Sequence, residues 1–374
     1  MWKGTSSGRV KSPDPASPLP TTQHAIVQDS MGKPRLVTEA GVPALLPGTA
    51  LVKTEAVALN PSDHKMGAYF PAPGAVVGMD FAGIVIAIHP TNPANPRNIA
   101  VGDRVCGIVH GSNPGRKEDG AFADYVRARP ELLLRVPAGM SLEHAATLCT
   151  GLSTNLLALW EPEGLALAAT PDTPAATPFP VLVYGASTAT GTLAVQLLRL
   201  SGLEPIATCS PRNFDMVRGF GAAQCFDYTR VGVADEIKKA TGGRLRHAYD
   251  CITDADSVAI CYGALSRAGG RYVCLEKCPE ELRTRRAVKH EFILGYDVFG
   301  EEVPLSGGYE RPGDKSKYAR AVEWFGVFQR LLDEGRLRTH PVQVLNGTGL
   351  DGVLKGLEML KTGSVSGKKL VVRV

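Results

Sequence analysis

The stretch "VLVYGASTATGTLAVQLLRLSG", Val181 to Gly202, sets Gly185 before a run of hydroxyls and Gly191 after it. Ser187, Thr188 and Thr190, with Ala189 among them, can hydrogen-bond the oxygens of a phosphate. A helix that starts there adds free backbone N–H groups and the positive end of its dipole. That is the chemistry of holding a dinucleotide pyrophosphate. Thr188 and Ala189 stand where such turns usually carry glycine for close backbone approach. Taken alone, an ordinary strand–turn–helix with capping hydroxyls fits this stretch equally well. The following strand, "EPIATC", adds a second signal. A site for NAD expects Asp or Glu at its end, ~20 residues on, to hold the ribose hydroxyls. The chain instead reads Ser210, Pro211, Arg212 and Asn213. Arg212 can meet a 2′-phosphate, and charge-assisted bonds of that kind contribute about 1.5–3 kcal/mol each. Tyr228, ending "CFDY", is placed to stack or hydrogen-bond near the adenosine, or simply to pack at a strand end. The pattern predicts NADPH in preference to NADH.

These groups need a scaffold. Val181 to Tyr184 supply a short apolar strand. The helix after it is apolar at Leu193, Val195, Leu197, Leu198 and Leu200, with a narrow polar stripe of Thr192, Gln196 and Arg199. Such a helix packs against a sheet. Gly191 removes the Cβ where the helix start approaches the strand. From there to "GGRYVCLE", short β-rich runs alternate with helical ones, which predicts βαβ units and a doubly wound parallel sheet of the Rossmann type, an α/β fold. Upstream, "HAIVQD", "TALVKTEAVALN", "FAGIVIAI" and "VGDRVCGIV" read as strands. "SLEHAATLCTGLSTNLLALW" reads as a helix capped by Ser141, and residues 161–180 as a Pro/Ala/Thr-rich surface connection. "KYARAVEWFGVFQRLLDEG" is a long late helix ending at Gly335. The last strand, "KKLVVRV", can return to the early β region. The expected division is a disordered tail over 1–23, a mostly β domain of 24–160 with 312–374, and a nucleotide domain of 161–311.

Composition narrows the class. The chain has 374 residues and a net charge of +4, too mild and dispersed to argue for nucleic acid. No run approaches the ~18 apolar residues of a membrane span. Eight cysteines are scattered, with no CxxC pair, and suit a reducing, cytoplasmic setting. The N-terminal stretch, rich in Ser, Pro and Thr, lacks the apolar core of a secretory signal.

"GASTATG" with "LAVQLLRLSG" resembles the glycine-rich turn of quinone and enoyl reductases in the medium-chain dehydrogenase/reductase superfamily. "VALNPSDHKM", "GMDFAGIV", "VGDRVCG", "GAFADYV" and "SGKKLVV" follow in that family's order, so the resemblance covers about residues 24 to 374. "STAT", "CSPRNFD" and "GYERPG" are similar to the trans-acting enoyl reductases of fungal polyketide biosynthesis, of the lovastatin-pathway type. The resemblance implies a GroES-like catalytic domain beside the Rossmann domain. It also implies hydride transfer from NADPH to the β-carbon of an α,β-unsaturated polyketide thioester. A partner polyketide synthase, or a synthase–peptide synthetase hybrid, would present that thioester on its acyl-carrier domain.

The same resemblance implies the site. Ser62, Asp63, His64 and Lys65 would lie beside the nicotinamide ribose or the substrate, with Lys65 the first-choice catalytic group. Thr154 would be the second, near the nicotinamide at the start of a helix, able to donate to the thioester oxygen; a helix cap is its other reading. Gly151, Leu152, Ser153, Thr154, Asn155, Leu156, Leu157 and Ala158 would line one wall of the substrate cavity. Tyr296, Asp297, Val298, Phe299 and Gly300 would line another. Leu275 and Glu276 would hold the carboxamide end, and Ser366 and Gly367 would approach the cofactor from the other domain. Zinc-containing relatives would have ligands at the places of Asn60, Met79 with Asp80, and Thr150; neither Asn60 nor Met79 is a credible zinc ligand, so no metal is expected. No dedicated proton donor stands out. Arg283, Arg285, Arg286 and Lys289 could meet an acidic carrier surface, or form an ordinary solvated basic stretch. The trans-acting type resembles a monomer. Two other functions remain open: a free-standing NADPH-dependent quinone or alkenal reductase, and a non-catalytic, crystallin-like NADPH-binding protein.

Overall fold

The computed structural model describes residues 19–91, 95–346 and 349–374. Most of the expected tail, residues 1–18, lies outside them. The boundary at residue 23 is corrected: the first strand is Thr22–Gln28. Gln23 is buried, donating to the Gly41 carbonyl and accepting from the Tyr125 amide. That strand pairs antiparallel with Pro34–Gly41.

Among the described residues, a six-stranded parallel sheet runs in the order Gln224–Phe226, Glu204–Thr208, Pro180–Tyr184, His247–Asp250, Gly270–Cys274, Val288–Phe292. The order reverses at Pro180–Tyr184, which has Glu204–Thr208 on one side and His247–Asp250 on the other, as in a doubly wound fold. "PVLVY" is buried at every position, because helices cover both faces of a parallel sheet. The second large sheet is mostly antiparallel and has Ala50–Ala58 and Asp80–Ile88 at its centre. The last strand, Lys369–Arg373, pairs antiparallel with Ala50–Ala58, so the β-rich part is built from both ends of the chain.

Several expectations need revision. The stretch after Ser141 is two helices, Leu142–Ala145 and Cys149–Leu159. The break lets the Thr150 amide donate to Asp80 Oδ1 at 2.8 Å. Residues 161–180 are irregular but tied down, with Leu165 and Leu167 buried and their amides bonded to Ala158 and Leu159. The polar stripe of helix Ala189–Leu200 does not meet water at Thr192 and Gln196, which are buried. Thr192 Oγ1 lies 3.0 Å from His340 Nδ1, and Gln196 exchanges two hydrogen bonds with the Arg338 backbone. The stripe is therefore a seam that pins the chain on its way back to the β-rich sheet. The late helix is Lys315–Asp333, capped by Asp314, and Gly335 beyond it takes φ +66°. One apolar core runs unbroken from Val181 and Leu193 through Leu152 to Phe325, which holds the two sheets in one body.

Candidate active site

The C-terminal ends of the parallel strands open onto a cleft of about 740 Å³ against the β-rich part, the expected ligand position in this architecture. At one end is the hydroxyl-bearing turn. Gly185 takes φ +73°, and a Cβ on Gly191 would sit 2.5 Å from the Gly185 carbonyl oxygen. The turn can therefore close only on glycine at these two places. Ser187, Thr188, Ala189 and Thr190 all line the cleft. Thr188 Oγ1 accepts the Gly191 amide at 2.9 Å and caps helix Ala189–Leu200. The helix start presents its first N–H groups to the cleft. The capping reading of the turn is thus observed, and the same turn faces the cleft.

Ser210, Arg212 and Tyr228 line the adjoining part, whereas Pro211 and Asn213 do not. Ser210 Oγ is 3.2 Å from the Tyr228 hydroxyl. Arg212 Nη2 donates to Ser366 Oγ at 3.1 Å. Gly367, at φ +63°, packs against Asn213, whose Oδ1 would lie 2.9 Å from any Cβ there. Asn213 thus shapes the loop that carries Ser366. Two motifs far apart in the chain become one surface.

At the other end, helix Pro61–Tyr69 carries Ser62 and Lys65 into the cleft. Lys65 Nζ is 2.5 Å from Glu276 Oε1, and the Tyr309 hydroxyl donates to Glu276 Oε2 at 3.2 Å. Leu275 lines the same wall. Asp63 and His64 are corrected: neither lines the cleft. Asp63 faces inward and accepts the Asn60 amide at 2.7 Å; burial pushes its carboxyl up to about 7. Burial, with Lys65 adjacent, holds the His64 ring below its usual value.

Thr154 lines the cleft from mid-helix, not from a helix start. Its hydroxyl donates to the Thr150 carbonyl at 2.7 Å, and a Cβ on Gly295 would lie 3.4 Å from its oxygen. The remaining wall predicted from 151–158 is corrected, because a helix shows a cleft only one face. Gly151, Leu152, Ser153, Asn155, Leu156, Leu157 and Ala158 are buried away from it, although Asn155 Nδ2 reaches the Thr190 carbonyl at 3.1 Å and so steadies the turn. In the second predicted wall only Tyr296 lines the cleft. Val298 and Phe299 are core, Asp297 pairs with Lys317 at 3.0 Å, and Gly300 packs on Tyr318. The basic cluster is also partly spent: Arg285 donates to the Tyr262, Leu265 and Ser266 carbonyls, and Arg283 to that of Cys278.

With this geometry in view, comparison is informative. The alcohol dehydrogenase GroES-like domain model matches residues 46–138, and the zinc-binding dehydrogenase model matches 189–292. Trans-enoyl reductase TwmE of Talaromyces wortmannii is 49% identical over 95% of this chain and 98% of its own. Trans-enoyl reductase poxP of Penicillium oxalicum is 49% identical over 95% and 94%. The chain belongs to the trans-enoyl reductase family. Among solved structures, the quinone oxidoreductase of Coxiella burnetii superposes with a TM-score of 0.68 at 24% identity, over 94% of this chain and 99% of that one. The CurK enoyl reductase gives 0.69 at 19%, over 94% and 99%. A mycobacterial protein complexed with NADPH gives 0.70 at 19%, over 94% and 100%. These three share the fold, and the family is one of oxidoreductases.

In this trans-enoyl reductase the places named for zinc ligands do converge, but on a lysine. Asp80, fully buried, accepts Asn60 Nδ2 at 2.9 Å and the Thr150 amide. Lys369 Nζ lies 3.2 Å from Asp80 Oδ2 and also donates to Asn60 Oδ1. Among the described residues no three His, Cys, Asp or Glu side chains come together, and no helix is long and apolar enough to cross a membrane. Sequence reasoning missed Lys369, His340, Tyr309, Phe70 and Phe292, all of which line the cleft. Two of them had a signal: Tyr309 as the tyrosine of "GYERPG" and Lys369 as the second lysine of "SGKKLVV".

Proposed function

We propose that this trans-enoyl reductase uses NADPH to reduce an α,β-unsaturated polyketide thioester presented by the acyl-carrier domain of a separate reducing polyketide synthase, acting as a single chain in the cytoplasm. The carrying observation is that one cleft runs from the glycine-closed turn and Arg212 at one end to Lys65 and Thr154 at the other. The turn fits a pyrophosphate because its two glycines let the backbone close tightly at this point, which leaves the helix start facing the cleft. Bound there, the nicotinamide would supply the hydride for the β-carbon, and water would supply the proton that the α-carbon then takes up.

The chain's own groups supply the rest. Arg212 and Ser366 hold the 2′-phosphate. Ser187, Thr190 and the helix start hold the pyrophosphate. Lys65, released from Glu276, donates towards a ribose or thioester oxygen. Thr154 rotates its hydroxyl from the Thr150 carbonyl to the same oxygen, where a well-aimed donor is worth several kcal/mol as negative charge develops. Leu275 holds the carboxamide through its backbone.

The test compares an enoyl thioester with a small quinone, each with NADPH. Faster oxidation of NADPH by the thioester is expected. Preference for the quinone would point to a free-standing reductase, and inertness towards both would point to a binding protein.

A further inference from the structure

We infer that Phe70, Tyr309 and Phe292 form the subsite for the apolar acyl chain of the substrate, with Phe70 setting the chain length that fits. The inference rests on the reduction proposed above and names what that reduction acts on: enoyl thioesters with long hydrocarbon tails.

The three rings line the cleft as one wall. Phe70 and Tyr309 pack edge to face with centroids 5.1 Å apart at 61°, and Tyr309 and Phe292 do so at 5.1 Å and 76°. They come from three places: the end of helix Pro61–Tyr69, a loop, and the last residue of strand Val288–Phe292. Ile293, Leu294 and Leu305 extend the apolar surface within the cleft. At the mouth, Tyr69 continues the row, 6.4 Å from Phe70 and 68% exposed.

The middle ring of the wall carries a polar group. Tyr309 offers its ring to Phe70 and Phe292 and its hydroxyl to Glu276, which holds Lys65. A tail lying on the rings therefore directs its oxygen-bearing head towards the groups that must receive it. Of residues 295–300, Val298 and Phe299 are committed to the core, and only Gly295 and Tyr296 reach the cleft.

The experiment uses the full chain, NADPH and N-acetylcysteamine 2-enoyl thioesters from crotonyl up through decenoyl. In the wild type, each methylene taken out of water should raise kcat/KM by about fourfold. Phe70→Ala should cut that increment to about twofold or less. Phe70→Leu should fall between, and Phe70→Trp should move the optimum to shorter chains. NADPH titration of each variant reports an intact fold. Variants whose chain-length profile runs parallel to the wild type would overturn the subsite while leaving the reduction standing. A wild type that oxidises NADPH with none of the thioesters would overturn the reduction itself, and the subsite with it.

Discussion

Lys65 Nζ lies 2.5 Å from Glu276 Oε1, a contact between residues 211 apart in the chain. Their side chains are 37% and 31% exposed, and ion pairs so wetted contribute only ~0–1 kcal/mol to stability. The contact therefore matters for where the ammonium is held. Lys65→Ser is expected to lower kcat on an enoyl thioester by at least about tenfold, with the thermal midpoint almost unmoved. Separate measurement of NADPH affinity and turnover checks this. Wild-type turnover in Lys65→Ser would remove Lys65 from the chemistry.

Arg212 reaches Ser366 from the turn after the second strand of the parallel sheet. Arg212→Ala is expected to weaken NADPH about 10- to 100-fold, the equivalent of one charge-assisted contact, and to leave NADH nearly unchanged. Parallel titrations with the two nucleotides decide it. Equal losses for both would show that Arg212 does not read the 2′-phosphate.

The Lys369–Asp80 pair is of another kind, because both partners are buried. Lys369→Met strands a carboxylate in the interior, and about 3–5 kcal/mol of stability should be lost. Adding Asp80→Asn should recover much of it. Urea denaturation of the single and double variants measures both effects; a single variant as stable as the wild type would contradict the burial argument.

Gly191→Ala places a methyl 2.5 Å from the Gly185 carbonyl oxygen. The backbone of the turn must shift, so nucleotide affinity should fall by at least about tenfold even where the fold survives. Isothermal titration tests it, with Thr188→Ser as a variant that keeps the cap.

Asp63 makes a pH prediction. Its carboxyl is pushed up to about 7, chiefly by burial, whereas in the unfolded chain it ionises near about 3.9. Between those values the folded state binds more protons. Its contribution to stability is full below about pH 4 and is lost as pH rises to about 7. The stability of the wild type relative to Asp63→Asn should therefore fall by on the order of 1.4 kcal/mol per pH unit across that window. A difference independent of pH would mean that the group titrates normally.

The turn, the helix behind it and the missing carboxylate after "EPIATC" were legible because each is a local pattern. Helical periodicity was legible too, but its direction was not. The sequence sets Thr192 and Gln196 on one polar stripe without saying what meets it, and the two are buried against residues 338–340. Residues 151–158 read as one wall, yet Thr154 alone among them faces the cleft. A sequence states which residues share a helix, while neighbouring elements choose which of its faces meets what.

Taken by itself, the sequence determined the alternation of strands and helices, the two glycines that close the turn, and the donors at Ser210 and Arg212. Those depend on backbone sterics and on neighbours a few residues away. Only the tertiary structure decided that Lys65 meets Glu276, that Arg212 meets Ser366, that Lys369 neutralises Asp80, and that Phe70, Tyr309 and Phe292 share a wall. Each of these joins segments distant in the chain, brought together by packing two sheets around one core, and no local pattern carries that distance.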